Sequence, residues 1–184
     1  MIPIGAVASI PLLIGLYWLI SYNGFIVRRN KARNAFATID VQLKKRWDLI
    51  PQLVSTAKGY ASHEQALFSS ITKARSEAQQ ASSPATRFNN EALIQHNAAQ
   101  ILGLSEAYPD LKANKQFELL QRNLTEIEAQ IAASRRSYNA SVTAYNTALE
   151  TAPSNIIAGI HKFTALDLFS TKITERENIH ISSL

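Results

Sequence analysis

Apolar side chains recur at alternating intervals of three and four residues through the second half of the chain. This spacing keeps an apolar stripe on one side of a helix, and the stripe continues for about nine turns before Pro153. A stripe of that length needs partner helices to cover it, so it predicts a helical bundle. Its members are Phe117, Leu120, Leu124, Ile127, Ile131, Tyr138, Val142, Tyr145 and Leu149.

A stricter repeat of seven residues runs from Phe36 to Tyr60 and predicts a second long helix. Pro51 lies inside it, with no N–H to donate and a ring that crowds the preceding turn. Because the repeat keeps its phase beyond Pro51, we predict one kinked helix. The alternative is a new helix capped by Asp48, with Pro51 in its first turn. The two rows of the seam are Phe36, Leu43, Ile50 and Ala57, and Ile39, Arg46, Leu53 and Tyr60.

Shorter helices are predicted between and after these two. Ser62 to Gln65 has the spacing of a capping box and opens one helix, and residues 88–107 form the next. The Tyr108-Pro109-Asp110 turn ends that helix, and Ser154 is a candidate cap for a short final one. Loops this short join antiparallel neighbours. We therefore predict an all-α fold, in which an N-terminal transmembrane helix precedes an antiparallel bundle of two long and two shorter helices.

The N-terminal segment is the candidate membrane anchor. No charged side chain occurs from Met1 to Val27, and about 20 predominantly apolar residues suffice to span a bilayer. Tyr17, Trp18 and Tyr22 lie toward one end, where aromatic rings suit the membrane interface. A cleavable signal peptide is the alternative, but its basic residues precede the apolar run, whereas here they follow it. We predict an uncleaved anchor.

The predicted organisation has three parts. Residues 1–27 form the anchor, residues 28–160 the helical bundle, and residues 161–184 a short C-terminal helix with an extended tail. Because Lys and Arg follow the anchor directly, the positive-inside rule places the bundle in the cytoplasm and the short N-terminus outside.

The positive charge of the chain is concentrated next to this anchor. Residues 28–58 carry eight Lys and Arg against two Asp, a balance of +6, whereas the rest of the chain sums to −1. Such a belt fixes orientation and attracts anionic lipid headgroups. No basic and aromatic patch accompanies it, so we expect no nucleic-acid partner. The belt residues proposed for orientation or lipid contact are Arg28, Arg29, Lys31 and Arg33.

The residues needed for the commonest catalytic and cofactor sites are missing or scattered. The chain has no Cys, its six Gly are too dispersed for a phosphate loop, and its four His lie far apart in sequence. His63-Glu64 begins like a zinc-protease motif, but Leu67 occupies the place of the second His. We therefore expect no catalytic residues, no metal, no cofactor and no enzymatic activity.

Polar residues inside the two seams are the candidate site. Arg46 takes a core position, and by helical spacing Asp40 and Asp48 are candidate partners for Arg46 or Lys44. The pair Tyr138-Asn139 recurs seven residues later as Tyr145-Asn146, which puts both pairs on one helix face. Two interpretations remain open: a ligand site between helices, or a polar network that sets the helix register.

Several segments spread along almost the whole chain carry a family resemblance. They are Tyr22-Asn23, Arg29-Asn30, Ile39 to Arg46, Asp48 to Pro51, Leu53-Val54, Lys58 to Ala61 with His63-Glu64, Glu106 to Asn114, Phe117, Arg135-Arg136 with Tyr138-Asn139, and Tyr145-Asn146. Together these segments resemble the bacterial LemA family. The resemblance implies a single-pass protein of the bacterial inner membrane with a cytoplasmic four-helix bundle and no assigned activity. Phe36 and Lys162 depart from it, since it leads us to expect Trp and Gly there.

These observations favour a membrane-anchored, non-enzymatic scaffold or adaptor. Its partner is an unidentified protein or a second copy of the chain, and Trp47, Phe68 and Ile94 are candidate contacts that core packing explains equally well. The alternative is a bundle that binds an anionic lipid headgroup or a small ligand through the basic belt and the Tyr-Asn pairs.

Overall fold

The computed structural model describes the backbone of residues 4–81 and 84–169, and the side chains of residues 11–81 and 89–169. Within these ranges the chain is helical and contains no strand, as the apolar periodicity predicts. The helices are α1 (Ile4–Lys58), α2 (Gln65–Gln80), α3 (Pro84–Ala107), α4 (Pro109–Lys112), α5 (Lys115–Glu150) and α6 (Ser154–Ile160).

The chain divides into two compact units, and α1 and α5 contribute to both. The first unit contains Met1–Ile39 and Ala133–Leu184, and the second contains Asp40–Ala132. Each has its own apolar core, which we describe separately.

The core of the second unit is built from the predicted seam. Leu43, Ile50 and Leu53 are buried on α1 and Phe117, Leu120 and Leu124 are buried on α5. The two segments run antiparallel, since Arg46 contacts Glu128 and, further along α1, Tyr60 contacts Asn114. Helices α2 and α3 pack against each other and complete this core with Phe68, Ile71, Ile94 and Ile101.

The core of the first unit is aromatic. Phe25 of α1 lies edge-on to Tyr145 of α5, with ring centroids 6.5 Å apart, and Ile157 of α6 is buried beside them. Trp18, Tyr22 and Phe163 pack around this cluster. Short helix α6, predicted from Ser154 onward, lies at Ser154–Ile160, and no helix occupies residues 161–169.

Helix α1 continues through Pro51, so the alternative of a new helix capped by Asp48 is wrong. Pro51 cannot donate to the carbonyl of Trp47, four residues earlier. The guanidinium of Arg75 donates instead, with Nε 2.7 Å from that oxygen. A side chain from α2 therefore satisfies the backbone acceptor that Pro51 leaves free.

The predicted capping box at the start of α2 is also wrong. The helix begins at Gln65, its N-cap position is Glu64, and that residue makes no side-chain cap hydrogen bond. Gln65 instead donates from its side chain to the main-chain oxygen of Ser62, at 3.3 Å. A cap that the sequence analysis missed starts α5, where Asn114 Oδ1 accepts from the N–H of Phe117 at 3.0 Å.

Over the part of the chain that the structure describes, no helix is long and apolar enough to cross a membrane. The predicted transmembrane anchor at residues 1–27 is therefore not supported. Residues 1–3 and the side chains of residues 4–10 lie outside the described set.

Candidate functional site

Arg46 lies at the centre of a buried ion cluster in the second unit. Its Nη2 donates to the carboxylate of Glu91 on α3, and its Nη1 donates to Oε1 of Glu128 on α5 at 2.7 Å. Arg46 and Glu91 are 0% and 1% exposed. A buried guanidinium needs such compensation, and the cluster joins three helices at one level.

The carboxylates described on Arg46 are those of Glu91 and Glu128, which the sequence analysis did not suggest. Asp48 lines a shallow surface cavity together with Lys45. Glu91 and Glu128 were missed because they lie 45 and 82 residues from Arg46 in sequence. Spacing along one helix carries no information about such partners.

Two of the three predicted partner contacts belong to the core. Phe68 and Ile94 are buried, so they have no surface to offer another protein. Trp47 is half-buried, and its Nε1 donates to Oε1 of Glu91 at 2.7 Å. Core packing, the alternative that the sequence left open, accounts for Phe68 and Ile94.

The two Tyr-Asn pairs of the first unit bind the segment that follows α6. The side-chain amide of Asn139 donates to the main-chain oxygen of Phe169 at 3.0 Å and accepts from its N–H at 2.7 Å. Asn146 binds Leu166 in the same two-sided way, at 2.8 and 3.0 Å. Each amide thus pairs with both polar main-chain groups of one residue. We call residues 163–169 the C-terminal segment.

The tyrosines of the two pairs bind the same segment. The Tyr138 hydroxyl donates to the main-chain oxygen of Asp167 at 2.9 Å, and the Tyr145 hydroxyl donates to that of Thr164 at 3.2 Å. In both pairs, therefore, the residue bound by Tyr lies two positions before the residue bound by Asn. The two pairs, seven residues apart in the sequence, therefore bind the segment with the same pattern of hydrogen bonds.

The environment keeps both phenols protonated and able to donate. Burial raises the pKa of Tyr138 above the usual 10.0, and the neighbouring Asp167 carboxylate raises it further. Burial also raises the pKa of Tyr145, against the lowering effect of the Arg29 and Arg33 guanidinium groups.

Only part of the basic belt lines a cavity. Arg29 and Arg33 line a cavity of about 270 Å³ in the first unit, next to Tyr145, and His161 and Lys162 complete its basic lining. None of the described lining residues is acidic. The other two belt residues, Arg28 and Lys31, are exposed and do not line this cavity.

Comparisons with known proteins identify the family. The LemA family profile matches residues 35–182, more than half of the chain. The chain is 25% identical over 177 residues to protein LemA of Metamycoplasma hominis, covering 94% of this chain and 81% of that protein. It is also 23% identical over 180 residues to magnetosome protein MamQ of Magnetospirillum gryphiswaldense and to magnetosome protein MamQ 1 of Paramagnetospirillum magneticum.

These two matches cover 84% of this chain but only 66% of each magnetosome protein, so the chain spans slightly less than two thirds of their length. The family match agrees with the motifs read from the sequence, and the chain belongs to the LemA family.

Proposed function

We propose that this chain is a membrane-associated, non-enzymatic adaptor that binds a protein partner at the bacterial inner membrane, with its two units in the cytoplasm. The observation that carries the membrane association is the exposed apolar surface at the start of α1. Its large apolar side chains are 53–74% exposed, and they are Leu12, Leu13, Ile14, Leu16, Leu19 and Ile20.

These side chains cover a wider part of the helix surface than a single apolar stripe. At 100° per residue they cover about 220° of its circumference. The remaining sector carries Trp18, Tyr22 and Phe25, which pack in the first unit. A surface apolar over more than half of a helix suits lipid contact better than packing on one neighbouring helix.

Flotation of the full chain with phospholipid vesicles tests the membrane association. We expect replacement of Leu12, Leu16 and Ile20 by Ser to abolish flotation with neutral vesicles, to which the basic belt is not attracted. A matched control replaces Val41, Leu93 and Leu119, which are 40–54% exposed in the second unit, by Ser. Equal flotation of the two variants would contradict the proposal.

The cytoplasmic placement rests on the basic belt after the apolar stretch, because the anionic lipids of the cytoplasmic leaflet attract such a belt. The natural chain has no Cys, so Thr143→Cys on α5 provides a single exposed thiol. We expect a membrane-impermeant maleimide to label it only after the cells are opened. Labelling in intact cells would contradict this placement.

A photo-crosslinking amino acid at Val41, which is 54% exposed on α1, tests the adaptor role in living cells. A recurrent protein adduct supports an adaptor, and adducts of the chain with itself support a homo-oligomeric organiser. Absence of any protein adduct, at this position and at Leu119, counts against both.

A second candidate function is the binding of an anionic headgroup in the cavity lined by Arg29 and Arg33. Its described lining contains four basic residues and no acidic one, which favours a phosphate-bearing ligand. Replacing both Arg by Gln should weaken flotation with anionic vesicles. Replacing Arg28 and Lys31 by Gln removes the same charge outside the cavity. Equal loss in the two variants would support the belt alone and contradict a specific site.

A further inference from the structure

The two Tyr-Asn pairs make their hydrogen bonds to the main chain of the C-terminal segment. All six hydrogen bonds described above between the pairs and the segment end on its main-chain N–H or C=O groups. Main-chain groups are the same in every residue except Pro, which lacks the N–H. This part of the recognition therefore does not depend on the sequence of the bound segment.

The helix and the segment have matching repeats. Asn139 and Asn146 are seven residues apart on α5, which corresponds to about 10.5 Å at 1.5 Å per residue. The residues that they bind, Phe169 and Leu166, are three apart, which corresponds to about 10 Å when the chain is extended. The length of one heptad of helix thus matches the length of three residues of extended chain running antiparallel to it. Each repeat of the Tyr-Asn pair can therefore bind the segment in the same way.

Every third side chain of the segment is apolar and packs against the first unit, so these positions favour apolar residues. Phe163 stacks on Phe25 with ring centroids 5.0 Å apart, Leu166 joins the aromatic core, and Phe169 is buried. The guanidinium of Arg135 lies 4.6 Å from the centroid of the Phe169 ring. Between these anchors, Thr164, Ala165, Asp167 and Leu168 are exposed.

The junction between α6 and the segment carries local backbone strain. Lys162 has a φ of 52°, in the left-handed region that favours Gly. It ends α6 in a Schellman turn, in which the N–H of Phe163 donates to Ala158 and that of Lys162 donates to Gly159. The segment therefore begins directly after a left-handed residue that is not Gly.

We propose that the Tyr-Asn face of α5 is a binding site for an extended peptide with apolar side chains at every third residue, and that residues 163–169 occupy it as an internal competitor. The inference rests on the proposed adaptor function and names the chemistry of its protein partner. A partner segment displaces the C-terminal segment and makes the same main-chain hydrogen bonds.

The probe is a fluorescent peptide with the sequence of residues 161–169, added to the full chain and followed by anisotropy. We expect weak binding to the natural chain, because its own segment competes. Replacing Phe163, Leu166 and Phe169 of the chain by Ser removes the competitor's anchors but leaves the Tyr-Asn pairs intact. This variant should bind the peptide at least about tenfold more tightly, and adding Asn139→Leu and Asn146→Leu should abolish binding.

N-methylation of the peptide distinguishes binding through main-chain hydrogen bonds from binding through apolar side-chain contacts. Methyl groups on the amides corresponding to Leu166 and Phe169 remove the two N–H donors to Asn146 and Asn139. We expect about tenfold weaker binding, since two hydrogen bonds are lost. Methylation at Ala165 and Leu168 adds the same bulk, and we expect less than a threefold effect. Equal effects of the two methylated peptides would overturn the proposal.

A measurement on the otherwise natural chain covers the case in which the Ser variant fails to fold. Ala165→Cys, carrying an environment-sensitive dye, should report release of the segment when unlabelled peptide is added. No dye response at saturating peptide overturns the proposal, as does exchange of the segment between two copies in place of peptide binding. A protein adduct at Val41 without peptide binding would leave the adaptor function standing and remove this inference alone.

Discussion

Individual polar side chains in the interior join helices that are far apart in sequence. Arg46 holds Glu91 and Glu128 inside the second unit, and Trp47 shares Glu91 with it. A buried charge is tolerated only when its partners remain, so the cluster is sensitive to loss of one member. The cluster joins α1, α3 and α5 inside the second unit.

Replacing Arg46 by Met should destabilise the chain by about 3–5 kcal/mol, because Glu91 is left buried without its cation. Urea unfolding followed by circular dichroism measures this loss. The double replacement Arg46→Met with Glu91→Gln removes both charges and should recover part of it. A double variant as unstable as the sum of the single variants would contradict direct pairing.

Lys162 is a second residue with a defined local role, since it has the left-handed conformation at the C-terminal end of α6. Lys162→Gly should raise the free energy of unfolding by about 1 kcal/mol, because Gly adopts this conformation without the clash of a Cβ atom. Thermal melting provides the measurement, and Lys115→Gly at the start of α5 is the control, which should destabilise. Lys162→Gly with no gain in stability would contradict the strain.

Among the helices, α1 shows how a backbone defect is compensated by another element. Pro51 interrupts the hydrogen bonding of α1, and Arg75 of α2 donates to the carbonyl that is left free. The apolar seam keeps its phase on both sides, so packing holds the helix together although one hydrogen bond is missing.

Arg75→Met should destabilise the chain by about 1–3 kcal/mol, because the Trp47 carbonyl loses its donor. In a Pro51→Ala background the restored N–H can bond that carbonyl, and the same replacement should cost less. A double-mutant cycle by urea unfolding measures this coupling. An equal cost of Arg75→Met in both backgrounds would show that Arg75 does not act through this carbonyl.

The contact between α5 and the C-terminal segment should weaken at alkaline pH. A raised phenol pKa means that the folded state holds its proton more tightly than the unfolded state does. The stabilisation is therefore complete below the ordinary pKa of 10.0 and is lost as the pH rises through the higher folded-state pKa. Unfolding measured between neutral and alkaline pH should show this loss, and Tyr138→Phe with Tyr145→Phe should lack it.

Taken together, the chain combines an exposed apolar N-terminal stretch, a basic belt and two helical units. The four belt residues, Arg28, Arg29, Lys31 and Arg33, carry a formal charge of +4 directly after the apolar stretch. Charge and apolar surface therefore adjoin along the chain, which is the combination that a negatively charged membrane surface binds.

Attachment to anionic vesicles should accordingly contain a salt-dependent part. Raising the ionic strength from 0.1 to 1 M shortens the screening length from about 10 Å to about 3 Å and should weaken flotation. The apolar part should persist, so neutral vesicles should retain a salt-insensitive fraction. Flotation that falls equally with salt on anionic and neutral vesicles would contradict the role of the belt.

Helix periodicity could be read from the sequence because it is local. Apolar spacing at 3.6 residues per turn predicted both long helices, and the turn residues around Pro109 and Pro153 predicted their breaks. The same periodicity singled out Arg46 and the two Tyr-Asn pairs as polar residues on a packed face. The family motifs could be recognised for the same reason, since each occupies a few consecutive residues.

The partners of those residues depended on folding. Hydrogen-bonding capacity is a property of the side chain, but the atom that satisfies it is whichever one packing brings within about 3 Å. Glu91 for Arg46, Arg75 for the carbonyl freed by Pro51, and the backbone of residues 164–169 for the Tyr-Asn pairs all come from distant parts of the sequence. The repeat of seven residues indicated two equivalent positions on one helix face. Only the tertiary structure shows that the extended segment along α5 binds to both of them.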